Sequence, residues 1–180
     1  MEVYRGALEL LDYVFFATTE RGKVYETGAF IHNYALAYAF RLASAPYSSV
    51  IQEPHYEDEL RPANERGVYL TPARPLEVSQ RRIQFNTITE GYGFAGKKRS
   101  IGYPDWGFIR ALRPGSRFEF YVFVANLSTL PEAPMFAVAL NGLPTYIRLG
   151  KFSGKAQVRL QKSDSVEERR GGVPPFCRSH

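Results

Sequence analysis

Residues 147–160 read I-R-L-G-K-F-S-G-K-A-Q-V-R-L. Apolar and polar residues alternate on both sides of a break marked by Gly150 and Gly154, which predicts a pair of strands joined by a short turn. A pair joined so closely is antiparallel, and the chain must therefore build a sheet. Four cations, Arg148, Lys151, Lys155 and Arg159, are spread across the break. Glycine admits positive φ and lets backbone N–H groups approach a ligand, while lysine supplies charge, so the turn suits a phosphate backbone. The plainer alternative is a hairpin turn with solvated lysines.

The other elements follow from their periods. Val3–Leu10 alternates as a half-buried strand, and Tyr13–Phe16 extends it or opens a second. Gly28–Leu42, rich in alanine and aromatics and free of proline and internal glycine, predicts a helix buried against the sheet. Pro46–Arg66 is polar and acidic and reads as a surface loop. Val68–Thr71 is a short strand stopped by Pro72 and Pro75, and residues 82–89 alternate again. Gly91–Gly107 holds five glycines and little apolar patterning, which predicts a long excursion. Arg117–Ala125, with F-E-F-Y-V-F-V at its centre, is the strongest strand signal. Residues 131–141 fit a short helix with proline in its first turn and Gly142 beyond its end. From Lys162 to His180 the chain is polar and is expected to be a disordered tail.

This order predicts an α+β domain over residues 1–161, with helices on one face of an antiparallel sheet. A ferredoxin-like or RRM-like arrangement is the simplest match. In 180 residues, 44% hydrophobic, there is material for one core. A single cysteine, Cys177, rules out an internal disulfide and a Cys/His zinc pattern. The N-terminus shows no signal-peptide pattern and no apolar run is long enough to span a bilayer, so the expectation is a cytoplasmic protein without membrane contact.

The net charge of +5 permits a nucleic-acid partner without requiring one. Its distribution says more. Between Lys97 and Arg117 there are six cations (Lys97, Lys98, Arg99, Arg110, Arg113, Arg117) and one acid, Asp105. Tyr103, Trp106 and Phe108 are interleaved with them. Cations for phosphates and rings for bases fit a single-stranded nucleic acid; taken singly, each ring could equally anchor the loop to the core. His32 and Asn33, in the predicted helix, either satisfy a core contact or hydrogen-bond a base or ribose. Glu57-Asp58-Glu59 reads as a solvated charge run. The sequence holds no nucleophile motif and no acidic cluster with metal-ligand spacing, so neither cofactor nor metal is expected.

Five stretches together resemble one family: Val24–Thr27, His32–Tyr38, Tyr69–Ala73, Leu112–Phe118 and Ile147–Lys155. They are similar to the Csc-one (Cas-five type) RAMP proteins of type I-D CRISPR effector complexes, over roughly residues 1–160. The resemblance implies a modified RRM-like fold with a glycine-rich loop and a protruding thumb, here about residues 91–107, to which Thr71–Gln80 could contribute. It implies one copy per complex, a non-catalytic role holding the 5′ handle of the CRISPR RNA, and contacts to the seven-type RAMP backbone subunit and the large subunit. Target DNA near its protospacer-adjacent motif is a further possible partner. Gly150, Lys151, Gly154 and Lys155 become the RNA-contacting loop by matching position. One rival reading is a metal-independent endoribonuclease using Tyr25, His32 and Lys151, since cleavage through the 2′-OH needs a base, an acid and a cation. Another is an RRM-like module that meets an acidic protein.

Overall fold

A computed structural model describes residues 1–16, 18–21, 24–43, 55–87, 105–125 and 134–164. The strands are β1 (Glu2–Leu10), β2 (Thr19–Arg21), β3 (Val24–Glu26), β4 (Val68–Leu70), β5 (Arg74–Glu77), β6 (Gln80–Thr87), β7 (Asp105–Leu112), β8 (Arg117–Val124), β9 (Thr145–Leu149) and β10 (Gly154–Lys162). Three helices are interspersed: α1 (Asn33–Ala39), α2 (Tyr56–Glu65) and α3 (Pro134–Leu140).

The main sheet is antiparallel throughout, in the order β4-β8-β1-β10-β9, with β5 continuing the β4 edge along β8. Its register is continuous: Leu8 lies opposite Phe118 on one side and Val158 on the other. Inward residues of these strands, including Leu8, Leu10, Phe118, Phe120, Ile147 and Val158, meet Leu36 of α1, Phe40 at its C-cap and Phe136 of α3 in one core. Phe40 packs edge-on against Phe136, with ring centres 5.5 Å apart. Each fully buried aliphatic or phenyl side chain contributes about 1.5–3 kcal/mol of transfer free energy, so this cluster dominates the stability of the fold.

A second sheet, β2-β3-β7-β6, carries its own small cluster of Phe15, Ile109 and Ala111. β3 and β7 pair in parallel, an arrangement not expected from the sequence, where one antiparallel sheet was foreseen. The link between the sheets is the segment after β1. Val14 bridges to Leu112 through two backbone hydrogen bonds, of 3.1 and 2.9 Å.

Several boundaries differ from expectation for identifiable reasons. The predicted Gly28–Leu42 helix shrinks to α1 because Ile31 pairs with Ala73 as a β-bridge, and His32 then caps the helix start. The stretch taken as a surface loop contains α2. Glu57, Asp58 and Glu59 occupy its first turn, where carboxylates favour the helix dipole, and Ala63 is buried. The excursion closes earlier than predicted, since Asp105–Leu112 is a strand paired along its whole length with β6. β10 runs through Lys162, so the polar tail begins later. The predicted disorder of 165–180 and most of the expected thumb, 91–104, lie outside the described residues. No helix among the described residues is long and apolar enough to cross a membrane.

Candidate nucleic-acid interface

The β9–β10 hairpin closes through Gly150–Ser153, with Leu149 opposite Gly154 and Arg148 opposite Lys155. Gly150 has φ +75° and Ser153 φ 52°. A Cβ on Gly150 would lie 2.6 Å from the Phe15 carbonyl oxygen, and one on Gly154 would lie 2.5 Å from that of Tyr13. The close approach that these glycines allow is therefore to the chain's own Tyr13–Phe15 segment. It is locked there by hydrogen bonds: the Lys151 N–H donates to the Phe15 carbonyl (2.9 Å), and the Leu11 N–H to the Lys155 carbonyl (2.9 Å). Phe152, 58% exposed, stacks on buried Phe15 with ring centres 5.7 Å apart. The turn is thus seated on the protein body and presents its side chains outward from a fixed base.

Those side chains are cationic and aromatic. Tyr146 and Arg148 point outward from β9, and Lys155 and Gln157 face them from β10. Like charges directly opposite each other on a sheet repel. Here the Lys155 ammonium turns over the Tyr146 ring, 4.4 Å from its centre, and an Arg148 Nη1–H donates to the Ser153 carbonyl at 3.2 Å. Asp12 is near, but its carboxylate accepts from the Lys155 backbone N–H (3.2 Å). Such an array offers charge to an anion and planar surface to a ring.

Around the edge of β9 this surface opens into a cleft of about 630 Å³ between α1, α3 and the turn. Phe15, Phe16, Tyr38 and Tyr146 line it together with Arg41, Arg148 and Lys151. Tyr38 is anchored by donating its hydroxyl proton to the Glu59 carboxylate.

The other predicted site residues are dispersed. Lys97, Lys98, Arg99 and Tyr103 lie outside the described residues. Trp106 is on β7 opposite Asn86. Arg110 is exposed on the same strand, opposite Arg82 and 3.7 Å from the Glu26 carboxylate. Arg113 is exposed just beyond β7, its N–H bonded to the Ser79 carbonyl. His32, expected within the helix, is instead its exposed N-cap, with Nδ1 accepting from the Tyr34 N–H at 3.4 Å, so of its two readings the core contact is absent. Its ring lies 4.7 Å from Tyr34, which stacks in turn on Tyr56. Asn33, half-buried, lines a separate cleft beside these rings.

Tyr25, His32 and Lys151 do not form a set. His32 precedes α1, whereas Lys151 shares its cleft with Arg41 beyond the other end of that helix, and seven helical residues span about 10 Å. Tyr25 packs against the small cluster of the second sheet. Among the described residues no three His, Cys, Asp or Glu side chains are placed to hold a metal ion.

Sequence reasoning missed Arg41, Tyr146, Phe15 and Phe152 on the cleft side, and Arg81 and Arg82 on β6. Arg82 places its guanidinium 3.8 Å above the Phe108 ring centre, and Arg81 donates to the Tyr13 hydroxyl. Tyr146 was findable, since it alternates in phase with Arg148. The seat on Tyr13–Phe15 carried no local signal.

A mixed α/β fold built on an antiparallel sheet has counterparts among solved structures. The chain superposes on one in the cryo-EM structure of the Type III-B Cmr-beta bound to cognate target RNA and AMPPnP, state 1, with a TM-score of 0.50 and 10% identity. A chain of the Type III-B Cmr-beta bound to cognate target RNA matches at 0.51 and 14%. These likenesses cover 91% and 89% of this chain but 66% and 60% of the others, and at such identities they are likenesses of fold alone. No curated protein matches the chain. Residues 1–173 match the family described as Type I-D CRISPR-associated protein Cas5/Csc1, and the chain belongs to that family. The match runs past residue 160, where the resemblance read from the sequence stopped.

Proposed function

We propose that this protein is a non-catalytic RNA-binding subunit of a type I-D CRISPR effector complex, holding the 5′ handle of the CRISPR RNA on the β9–β10 hairpin. The observation that carries this reading is the convergence of Arg148, Lys151 and Lys155 with Tyr146 and Phe152 on a turn fixed to the protein body. Family membership supplies the CRISPR setting. The path β1–α1–β4–β8–α3–β10, with neighbour order β4-β8-β1-β10, supports a ferredoxin-like, RRM-like core, because the two helices then connect alternate strands of one antiparallel sheet. In that reading the β6–β7 hairpin, whose connection spans residues 88–104, is the root of the thumb. The neighbours are the seven-type RAMP backbone subunit and the large subunit, with target DNA a further partner near the protospacer-adjacent motif.

Fluorescence anisotropy with labelled 5′-handle RNA and a scrambled control, in EDTA, tests the reading, each RNA being run on a gel afterwards. Handle RNA binds preferentially and emerges intact. With three or four phosphate contacts the logarithm of affinity falls against the logarithm of salt with a slope of about −2 to −3. Replacing Lys151 and Lys155 together by alanine weakens binding about tenfold or more. Unchanged affinity removes the hairpin from the site, and cut RNA overturns the non-catalytic assignment.

A further inference from the structure

The end of α1 is built as a Schellman motif. The Leu42 N–H donates to the Ala37 carbonyl (2.9 Å) and the Arg41 N–H to that of Tyr38 (3.0 Å), after the C-cap Phe40. The residue between cap and return in this motif adopts the left-handed conformation and is most often glycine. Here it is Arg41, with φ 59°. A side chain at that position is strained, and backbone strain persists where something else depends on it. Leu42 and Ala43 are buried, so the return itself would be served as well by glycine.

Arg41 has one evident surrounding to serve. Its side chain lines the cleft beside the glycine turn together with Arg148 and Lys151, which come from a distant part of the chain. None of the residues lining that cleft is acidic, and neither Arg41 nor Lys151 has an ion-pair partner among the described residues. With no carboxylate among the lining residues, and that of Glu59 behind Tyr38 engaged by the Tyr38 hydroxyl, the three cations repel one another and an anion relieves the repulsion. The walls between them are rings, from Phe15, Phe16, Tyr38 and Tyr146, and the volume lies within the range of small-ligand sites.

We infer that this cleft receives one nucleotide turned out of the bound strand. Its phosphate lies among Arg41, Arg148 and Lys151, and its base lies against the aromatic wall. The inference rests on the RNA-binding reading above and adds to it a pocket, a residue and a ligand class. A free mononucleotide has the same chemistry, so both sources are to be tested.

Arg41→Gly gives the decisive comparison, because glycine relieves the left-handed strain. Full-length wild type, R41G and the Lys151/Lys155 double alanine variant are titrated with handle RNAs carrying 2-aminopurine at successive positions, and with AMP and UMP as competitors. The expected result is that R41G melts no lower than wild type yet binds RNA about tenfold more weakly. One 2-aminopurine position is quenched in wild type and brightens in R41G. Competition by millimolar AMP or UMP would make a free nucleotide an equal occupant; its absence assigns the cleft to the strand. A lower melting temperature for R41G with unchanged affinity makes Arg41 a structural residue and overturns the inference. Loss of binding in the double variant alone overturns the cleft while leaving the hairpin reading intact. Wild type that binds no RNA overturns both.

Discussion

Glu119 is 2% exposed on β8, beneath the guanidinium groups of Arg5 and Arg74, both of which donate to it. Burial pushes its carboxyl upward, but hydrogen bonds and charge from the two arginines outweigh this and hold it below its usual range. A carboxylate depressed in the folded state contributes stability that is complete above its unfolded pKa and disappears as the pH falls through its folded pKa. Both arginines are substantially exposed, so solvent screening keeps the effect small. Glu119→Gln is therefore expected to cost about 1–2 kcal/mol in urea unfolding at neutral pH. The difference from wild type shrinks below about pH 4, and a difference independent of pH would remove the ion pair as its cause.

At the scale of the element, the β9–β10 turn makes a sharper demand than turn geometry alone. Gly150 and Gly115 have similar φ, +75° and +82°, but a Cβ on Gly115 meets nothing within 4 Å. Gly115→Ala measures the conformational penalty, about 1 kcal/mol, while Gly150→Ala adds displacement of the Phe15 carbonyl and is expected to cost at least about 2 kcal/mol. Equal losses would mean that the turn lifts off its seat freely. The hairpin itself was legible because its alternation is local and both glycines mark it. What the glycines approach was not, since Tyr13–Phe15 is more than a hundred residues away and no pattern links the two. α2 escaped notice because its acids and Pro62 resemble loop composition, and only Leu60 and Ala63 mark its inward side. The parallel β3–β7 pair joins segments some eighty residues apart and leaves no periodic trace. Arg41 was invisible for the opposite reason: the glycine that usually announces a helix end is missing.

Over the whole molecule, charge is sorted by sheet edge. β4, beside the acidic helix α2, and β9, which carries the cations, are the two ends of the strand order. Four inter-strand spacings put those edges about 19 Å apart, further than the roughly 8 Å screening length at physiological salt. The separation does not extend to every acid of α2, because Glu59 accepts the hydroxyl of Tyr38, which lines the cleft together with Arg148 and Lys151. Between these edges the Tyr13–Phe15 segment touches almost everything of consequence. Val14 is bonded to β7 of the second sheet, the Phe15 carbonyl holds the Lys151 N–H, and Phe15 stacks on Phe152. The amides of Val14, Leu112 and Lys151 should accordingly exchange with solvent deuterium as one cooperative unit, at a common opening free energy, whereas early exchange of Lys151 alone would show the turn fraying by itself. Three residues thus act as a splice: the β9–β10 hairpin and the β6–β7 ribbon lack an independent hinge, and whatever tilts one carries the other with it.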